Sequence, residues 1–398
     1  MVYIKVLIIH NYYKHSGGED KVVEEEIRLL EQNKINVIKY FISNDEIKMD
    51  GVINKLILGI NTIYSKKQYN SLKAILLKER PDVVHVHNTF PLISPSVYYL
   101  CSELGVPVVQ TLHNYRLGCA GAMLLRDGQV CEKCIQGSLI NGIKHGCYRD
   151  SRIQTVPLST MLYTHRFLNT WNKKVNKYIA LTSFAKKKFQ EIGLDEKKIA
   201  VKPNFIKSQH ISNYTKENQI VFVGRISKEK GLHLLLEAWK GLSPQFKTKL
   251  NIIGDGPLKE ELASKYEKYK NINFLGKLDS NEVLGHMAKS KYIVVPSVWY
   301  EGFPMTIIEA YSVNTPVISS NIGSLKEVVK EEVTGFHFEN NNVADLKYVL
   351  EKALKYKEYE DLQENIKVHF NNNYTSDINF KILMNIYKEV IGSGKSEK

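Results

Sequence analysis

The chain has 398 residues, of which 43% are hydrophobic and 24% charged, and it carries a formal net charge of +13 at pH 7. This length is enough for two hydrophobic cores, and the composition excludes an intrinsically disordered or low-complexity protein. No apolar stretch approaches the ~20 residues needed to cross a bilayer. The N-terminal run Met1–Ile9, interrupted by Lys5, is interpreted as a first strand rather than a signal peptide. We therefore expect a cytoplasmic protein with reduced cysteines, whose membrane contact, if any, is peripheral.

Apolar runs separated by helical patterns predict an α/β fold built from doubly wound parallel sheets. In the first half, the predicted strands are Lys5–Ile9, Val37–Phe41, Val83–Val86, Val106–Leu112 and Tyr178–Leu181. A polar stretch from Ser208 to Asn218 is interpreted as a linker into a second domain. There the pattern restarts, with predicted strands at Ile220–Val223, Leu250–Ile253, Ile272–Leu275, Tyr292–Val295 and Val317–Ser319. We expect an N-terminal domain over 1–205, a C-terminal domain over 206–375, and a final helical segment, 376–398, that packs back on the N-terminal domain.

Basic charge is concentrated in the first half of the chain. Residues 1–205 hold 29 Lys and Arg against 18 Asp and Glu, whereas the remainder holds 26 against 24. Two interpretations are open: a surface that rests on anionic lipid, or ordinary solvated helix faces. The residues that suggest the lipid surface are Arg166, Phe167, Leu168, Trp171, Lys173, Lys174, Lys177 and Lys186–Lys188.

The stretch Glu301–Glu309 places two carboxylates eight residues apart. Lys291–Val295, just before it, has the pattern of a buried strand, Gly302 and Pro304 predict a turn, and an apolar helix is expected to follow with Thr306 as its cap. N–H groups at the start of such a helix can face a ligand, and both carboxylates can accept hydrogen bonds from sugar hydroxyls. The alternative is a solvated helix face.

A second motif follows the predicted strand Ile220–Val223. Gly224 ends this strand, Arg225 and Lys230 bracket a loop, and Gly231 opens the next helix. Guanidinium and ammonium groups placed this way could neutralise a pyrophosphate leaving group, although surface cations near a strand end are the alternative. No Asp-x-Asp pair occurs in the sequence. Fixed cations rather than a divalent metal ion are therefore expected to stabilise the charge.

Together with Val333–Phe336 near the end of the second sheet, these motifs resemble those of glycosyltransferase family 4. The resemblance implies the GT-B arrangement, in which two Rossmann-like doubly wound domains face each other across a cleft. It also implies transfer from a nucleoside diphosphate sugar with retention of the sugar's anomeric configuration, and no cofactor for catalysis. Glu309 is expected to bind the ribose hydroxyls of the donor, and Glu301 is expected to bind the transferred sugar. The expected catalytic residues are His113, Arg225, Lys230 and Glu301, and those expected to bind the donor are Gly17, Gly18, Gly224, Gly302, Phe303, Met305, Thr306 and Glu309.

In the first domain, Gly17 and Gly18 follow one predicted strand and His113 follows another. A glycine pair before a helix lets backbone N–H groups approach a ligand, although a simple turn is the alternative. A histidine at the carboxyl end of a strand can hydrogen-bond a sugar hydroxyl without changing its protonation state. The resemblance places both features near the transferred sugar, with His113 next to its reacting carbon. His85 and His87 are expected to be structural.

A glycine-rich segment, 117–150, has too few apolar residues to form a core of its own. Four thiolates that include a Cys-x-x-Cys pair can hold a structural zinc ion. Buried or metal-free thiols are the alternative. The cysteines of this segment are Cys119, Cys131, Cys134 and Cys147.

The expected acceptor is a saccharide or lipid-linked saccharide of bacterial capsule, exopolysaccharide or lipopolysaccharide synthesis, at the inner face of the plasma membrane. The resemblance implies this setting, and the basic first domain fits it. The main alternative is a sugar-nucleotide epimerase, or a phosphorylase with lysine-bound pyridoxal phosphate, of the same architecture. The other is a non-enzymatic basic adaptor. Nucleic acid is not an expected partner, because aromatic residues interleaved with cations are sparse.

Overall fold

The structure is a computed structural model that describes residues 4–14, 17–47, 51–207 and 214–396. The chain divides into two compact units. The first comprises Met1–Leu124, Cys131–Lys202 and Asn379–Lys398, and the second comprises Leu125–Val130 and Pro203–Ile378.

The first unit contains a six-stranded parallel sheet with helices between its strands. The strands of this half of the chain are β1 (Lys5–Tyr12), β2 (Asn36–Ser43), β3 (Val83–Val86), β4 (Val108–Leu112), β5 (Leu125–Arg126), β6 (Gln129–Val130), β7 (Lys177–Ala180) and β8 (Ile199–Val201). Its helices are α1 (Gly18–Gln32), α2 (Gly51–Ile63), α3 (Lys66–Glu79), α4 (Ser96–Leu104), α5 (Lys133–Gln136), α6 (Ile140–Lys144), α7 (Arg152–Phe167), α8 (Thr170–Lys174) and α9 (Ser183–Ile192). The sheet order is β2-β1-β3-β4-β7-β8, while β5 and β6 form a short antiparallel hairpin. β3 and β4 are buried along their whole length, as expected for strands covered on both faces.

The second unit also contains a six-stranded parallel sheet. Its strands are β9 (Glu217–Val223), β10 (Lys249–Ile253), β11 (Ile272–Gly276), β12 (Ser290–Val295), β13 (Val317–Ser320) and β14 (Gly335–Phe338). The helices of this half are α10 (Leu232–Lys240), α11 (Lys259–Tyr266), α12 (Ser280–Lys289), α13 (Met305–Ser312), α14 (Gly323–Val328), α15 (Val343–Leu354), α16 (Tyr359–Asn373) and α17 (Ser376–Ser396). The sheet order is β11-β10-β9-β12-β13-β14. Apolar side chains on the two faces of this sheet form two buried clusters.

The predicted α/β fold with two doubly wound parallel sheets is confirmed. β4 begins at Val108 rather than Val106, because Pro107 has no N–H to donate to a neighbouring strand. β8 and β14 were not predicted as strands. The predicted linker Ser208–Asn218 lies partly outside the described residues, which resume at 214, and β9 already begins at Glu217.

The last helix, α17, contributes to the core of the first unit. Leu383, Ile386, Tyr387 and Val390 follow helical spacing and belong to the same buried cluster as the strand residue Val6. The hydrophobic core around the first sheet therefore includes side chains from both ends of the chain.

The lipid-facing interpretation is wrong at two of its residues. Trp171 is buried, and Lys188 is buried with its ammonium 2.8 Å from Glu132 and 2.7 Å from Glu191, so neither is available at a surface. Phe167 remains exposed. Among the helices in the described part of the chain, none combines the length and the apolar character needed to cross a bilayer.

A buried ion pair joins three segments of the first unit. Lys202, just after β8, donates from Nζ to Oε2 of Glu26 in α1 at 2.8 Å and to Oδ1 of Asn379 in α17 at 3.1 Å. Lys202 and Glu26 are each 1% exposed. Burial alone would raise the pKa of Glu26, but opposing contributions, the largest of them from the ammonium of Lys202, hold that pKa well below its ordinary value. The carboxylate is therefore charged, and the loss of Lys202 or Glu26 would leave an unmatched charge in the interior.

Replacing one partner alone, as in Glu26→Gln or Lys202→Met, should lower the free energy of unfolding by roughly 3 to 5 kcal/mol, because the other charge stays buried. The double substitution E26L/K202M should recover most of this loss, since it removes both charges. Urea unfolding followed by circular dichroism measures the three values.

The exposed pair formed by Lys39 and Glu31, whose charged atoms lie 2.7 Å apart, is the matched control. Lys39→Met should cost less than about 1 kcal/mol, because water already solvates both charges. Equal losses at the two pairs would contradict the structural role of the buried one.

Candidate functional site

The second unit presents two loops in the arrangement with which open parallel sheets bind ligands. β9 is central, with β10 on one side and β12 on the other, so the strand order reverses between β9 and β12. Ligands of such sheets bind beyond the carboxyl ends of the strands, at this switch point. The loops that leave the two strand ends are 224–231 and 296–304, and they contain most of the predicted site residues of this unit.

An ion pair links the two loops. Lys230 donates from Nζ to Oε1 of Glu301 at 2.6 Å, and Ser297 donates from Oγ to the same oxygen at 2.7 Å. Glu301 is 5% exposed, whereas Lys230 is more exposed, with its ammonium 5.8 Å from the centre of the Trp299 ring. Because an ammonium has three N–H donors, Lys230 can contact an anion while it keeps Glu301. Sequence reasoning named Lys230 and Glu301 but missed their pairing, as well as Ser297 and Trp299.

Close backbone contacts fix the geometry of these loops. Gly231, directly before α10, has φ +69°, and a β-carbon there would lie 1.9 Å from the carbonyl oxygen of Pro296. Gly254, after β10, has φ +145°, and a β-carbon there would lie 1.9 Å from the carbonyl oxygen of Gly224. Only glycine fits these two positions. Gly254 was missed from the sequence, although the Gly-Asp-Gly pattern after a strand was a signal for it.

The start of α13 differs from the prediction. Pro304 occupies the N-cap position, Met305 is the first helical residue and Thr306 the second, so the expectation that Thr306 caps the helix is wrong. The fixed φ of proline suits a position just before a helix, and the helix begins two residues earlier than expected. The N–H group of Ile307 donates to the carbonyl oxygen of Pro304 at 3.0 Å, whereas those of Met305 and Thr306 have no acceptor within the helix. Glu309 lies one turn further along, partly buried.

The remaining predicted residues of the second unit lie on the same loops. Arg225 follows β9 and is exposed. The carbonyl oxygen of Gly302 accepts a hydrogen bond from Ser324 at 3.4 Å. Phe303 packs against Tyr374, with ring centres 6.0 Å apart, and so helps to anchor the turn to the core.

In the first unit, a glycine pair stands at the start of α1. The N–H of Gly17 donates to Oδ2 of Asp20 at 3.1 Å, and Asp20 Oδ1 is 2.8 Å from Nε2 of His10, at the carboxyl end of β1. Among the described residues, a β-carbon at Gly17 or Gly18 would meet no atom within 4 Å. Packing against these residues therefore does not require glycine at either position.

His113 follows β4, next to another histidine. Its Nε2 is 2.9 Å from Nδ1 of His87, and the two rings are stacked with centres 5.2 Å apart. Burial, with smaller contributions from His87 and His10, lowers the pKa of His113 well below its ordinary value. The ring therefore stays neutral at physiological pH.

A carboxyl group beside these residues was missed from the sequence. Glu19 accepts hydrogen bonds on Oε2 from Tyr13 at 3.1 Å and from Asn114 at 3.4 Å. Its Oε1 is buried and has no hydrogen-bond partner among the residues that the structure describes. Burial raises the pKa of Glu19 to about 8, so the acid is mostly protonated at neutral pH and can donate a hydrogen bond. No sequence pattern could have shown this, because the contacts depend on the fold bringing positions 19 and 114 together.

Glu26, His85 and His87 form a compact set of potential metal ligands. Within the described ranges, no other group of three or more such side chains has all its ligand atoms within 4.8 Å of one another. However, Lys202 already neutralises Glu26, and Nδ1 of His85 is 2.7 Å from the hydroxyl of Tyr387. These contacts describe a buried hydrogen-bonded network rather than a cation site.

The sulfur atoms of the cysteine-bearing segment lie farther apart than they would around a zinc ion. Cys119 and Cys134 are buried, while Cys131 and Cys147 are partly exposed. A β-carbon at Gly121 would lie 3.8 Å from Sγ of Cys119 and 3.7 Å from Cβ of Cys147. Burial, and then the neighbouring thiols, raises the pKa of Cys134 to about 11. Within the described ranges no three of the sulfurs are all within 4.8 Å of one another, whereas thiolates around zinc are ~3.8 Å apart.

Two family profiles match most of the chain between them. "Glycosyltransferase Family 4" matches residues 50–210, and "Glycosyl transferases group 1" matches residues 204–369. The uncharacterized glycosyltransferase MJ1178 of Methanocaldococcus jannaschii is 26% identical to this chain, over 92% of each protein. The chain belongs to the family 4 type of glycosyltransferases.

Other similarities agree with this assignment. The O-antigen biosynthesis glycosyltransferase WbnH of Escherichia coli is 28% identical over 48% of this glycosyltransferase and 56% of its own length. The crystal structure of Alr3699/HepE from Anabaena in complex with UDP-glucose covers 96% of this chain and 99% of its own, with a TM-score of 0.65 and 16% identity. At that identity the likeness shows the fold alone, which is GT-B.

Zinc binding by this glycosyltransferase stays a prediction, because a bound ion would have to draw the four sulfurs closer together. Elemental analysis of untagged protein should find about one zinc ion per chain, as expected for a closed four-thiolate site. Cys134→Ser should reduce this value to near zero, whereas Cys101→Ala, in a different part of the unit, should leave it unchanged. A value near zero in the unsubstituted protein would dismiss the zinc site.

Proposed function

We propose that this glycosyltransferase moves a sugar, with retention of configuration and without a metal ion, from a nucleoside diphosphate sugar to a saccharide or lipid-linked saccharide. The observation that carries the proposal is the Lys230–Glu301 ion pair at the switch point of the second sheet, with Arg225 on the same loop as Lys230. Cations and a carboxylate at one strand edge suit a ligand that is a diphosphate at one end and a polyol at the other.

The proposed chemistry follows from where charge develops. The bond between the anomeric carbon and the diphosphate oxygen breaks, and the acceptor oxygen bonds to that carbon on the same face. The acceptor proton leaves with the departing phosphate oxygen. Negative charge builds on the leaving group, where Arg225, Lys230 and the free N–H groups at the start of α13 can stabilise it. Fixed cations could thus serve in place of a divalent metal ion.

The roles of the other residues follow from their positions. Glu309 would accept hydrogen bonds from the ribose hydroxyls, and Glu301 from the transferred sugar, with Ser297 holding its carboxylate in place. Gly224, Gly302, Phe303, Met305 and Thr306 would shape the donor site of the second unit. In the first unit, the open space over Gly17 and Gly18 would let a sugar approach the backbone, and His113 would contact a sugar hydroxyl.

The class of donor and acceptor is drawn from the relatives. HepE is described in complex with UDP-glucose, and WbnH by its part in O-antigen biosynthesis. We therefore assign a nucleoside diphosphate hexose as donor and cell-surface polysaccharide synthesis, such as that of capsule or exopolysaccharide, as the setting. The epimerase, phosphorylase and adaptor alternatives are less well supported, because both matching profiles describe glycosyltransferases.

A surface of the first unit supports peripheral binding at the cytoplasmic face of the plasma membrane. α2 and α7 lie side by side, with Gly59 close to Pro157. Their outer faces expose apolar side chains that include Ile53 at 73% and Phe167 at 79%. Exposed apolar patches flanked by cations suit the boundary between headgroups and acyl chains of an anionic bilayer. We call this the α2/α7 surface; its exposed apolar residues are Ile53, Leu56, Ile57, Ile60, Ile153, Val156, Tyr163 and Phe167, and its exposed basic residues are Lys55 and Arg152.

Removing either loop cation should abolish most of the activity. With UDP-, GDP- and ADP-hexoses screened for donor hydrolysis and transfer, Arg225→Ala and Lys230→Ala should each reduce kcat by at least ~100-fold on the donor that the unsubstituted enzyme uses, because charge on the leaving group loses a fixed partner.

Lys228→Ala is the matched control, since Lys228 is exposed on the same loop and should change kcat by no more than about twofold. Arg225→Ala is the cleaner test, because Lys230→Ala also leaves Glu301 without its ammonium; melting temperatures identify any loss of fold. Unchanged kinetics in folded Arg225→Ala protein would refute the assignment.

The α2/α7 surface should bind anionic vesicles through its apolar side chains. The double substitution L56E/I60E should weaken co-sedimentation with phosphatidylglycerol vesicles at least about tenfold, since two side chains lose their burial in the bilayer. Leu77→Glu, at an exposed leucine of α3, should leave binding unchanged. If the unsubstituted protein stays in the supernatant with phosphatidylglycerol as it does with phosphatidylcholine, the membrane assignment fails.

A further inference from the structure

A chain of contacts runs from the buried ion pair to His113. Glu26 Oε1 is 3.3 Å from Nε2 of His87, in an electrostatic contact rather than a well-aligned hydrogen bond. On the other side of the same ring, Nδ1 of His87 is 2.9 Å from Nε2 of His113. Glu26 and His87 are buried, and Lys202 holds the other carboxylate oxygen of Glu26 at 2.8 Å.

Charge balance determines which ring nitrogens of His87 and His113 carry a proton. The carboxylate of Glu26 can only accept, so the nitrogen of His87 that faces it, Nε2, carries the ring proton. Lys202 already matches the charge of Glu26, and a second proton on His87 would place an unmatched positive charge in the interior. His87 is therefore a neutral ring with a bare Nδ1. That nitrogen accepts a hydrogen bond from the Nε2–H group of His113. Because a neutral imidazole carries one ring proton, Nδ1 of His113 is bare.

We propose that Glu26 and His87 are positioning residues that fix His113 in the tautomer with hydrogen on Nε2, so that its Nδ1 presents a lone pair to a sugar hydroxyl. Nδ1 of His113 forms no hydrogen bond with any residue in the described ranges, and the side chain is partly exposed. A hydroxyl that donates to this nitrogen keeps its own oxygen lone pairs available for other donors. The role in transfer rests on the proposed function, whereas the tautomer does not.

Glu26→Gln should reverse the direction of the hydrogen bonds that run from residue 26 through His87 to His113. The amide oxygen stays with Lys202, which can only donate, so the amide nitrogen takes the place of Oε1 and donates to Nε2 of His87. His87 then carries its proton on Nδ1 and donates to His113, whose own proton moves to Nδ1. Glu24→Gln is the matched control, because Glu24 is exposed on the same helix and loses the same charge.

The tautomer is read directly by long-range ¹H–¹⁵N correlation spectra of protein labelled with ¹⁵N-histidine, with the His113 signals assigned from a His113→Asn sample. We expect Nε2–H at His113 in the unsubstituted protein and in Glu24→Gln, and Nδ1–H in Glu26→Gln. If Glu26→Gln is too unstable for a spectrum, E26L/K202M replaces it; without a carboxylate to enforce one form, both tautomers of His113 should appear.

Transfer is measured on the same samples. kcat/KM for the donor should fall about tenfold in Glu26→Gln and stay unchanged in Glu24→Gln, the size expected for one reversed hydrogen bond. Nδ1–H at His113 in the unsubstituted protein, or an unchanged tautomer in Glu26→Gln, overturns the proposal. A switched tautomer with unchanged kcat/KM overturns its role in transfer. If no donor is turned over at all, the proposed function fails, but the spectra still decide the tautomer.

Discussion

The buried pair of Lys202 and Glu26 is the interaction on which the first unit depends. It joins α1, the end of the first sheet and α17 through one pair of matched charges. Because those charges cancel, the neighbouring histidines can stay neutral. A neutral imidazole donates a hydrogen bond from one ring nitrogen and accepts one at the other, so a row of such rings has a defined donor-to-acceptor direction. A buried polar network of this kind adds rigidity when each member has its partner, and it is costly when one partner is missing.

The second unit uses the same types of charge in a different way. Lys230 and Glu301 also lie within hydrogen-bonding distance, but Lys230 is partly exposed, at the mouth of a loop, and can take a further anion. The first unit therefore uses a lysine and a glutamate for a permanent internal contact, and the second uses them for a contact that a ligand can extend. Burial decides between these two uses, because water screens the exposed cation and leaves its remaining donors free.

Much of the fold could be predicted from the sequence, because most of the buried parallel strands are short apolar runs separated by helical patterns. β8 escaped prediction because it has only three residues, and β14 because Gly335 and His337 interrupt its apolar residues. Lys230 and Glu301 could be named, but their pairing could not, because it joins residues 71 positions apart. Glu26 has the sequence pattern of a solvated helix position, and only packing against β3 and α17 makes it a buried charge.

The way in which the core of the first unit is completed has a consequence for synthesis on the ribosome. Leu383, Ile386 and Tyr387 belong to that core, although they are translated after every strand of the second sheet. The second sheet, in contrast, is encoded without interruption between Glu217 and Phe338. The first sheet therefore reaches its final packing only after all strands of the second sheet have been translated.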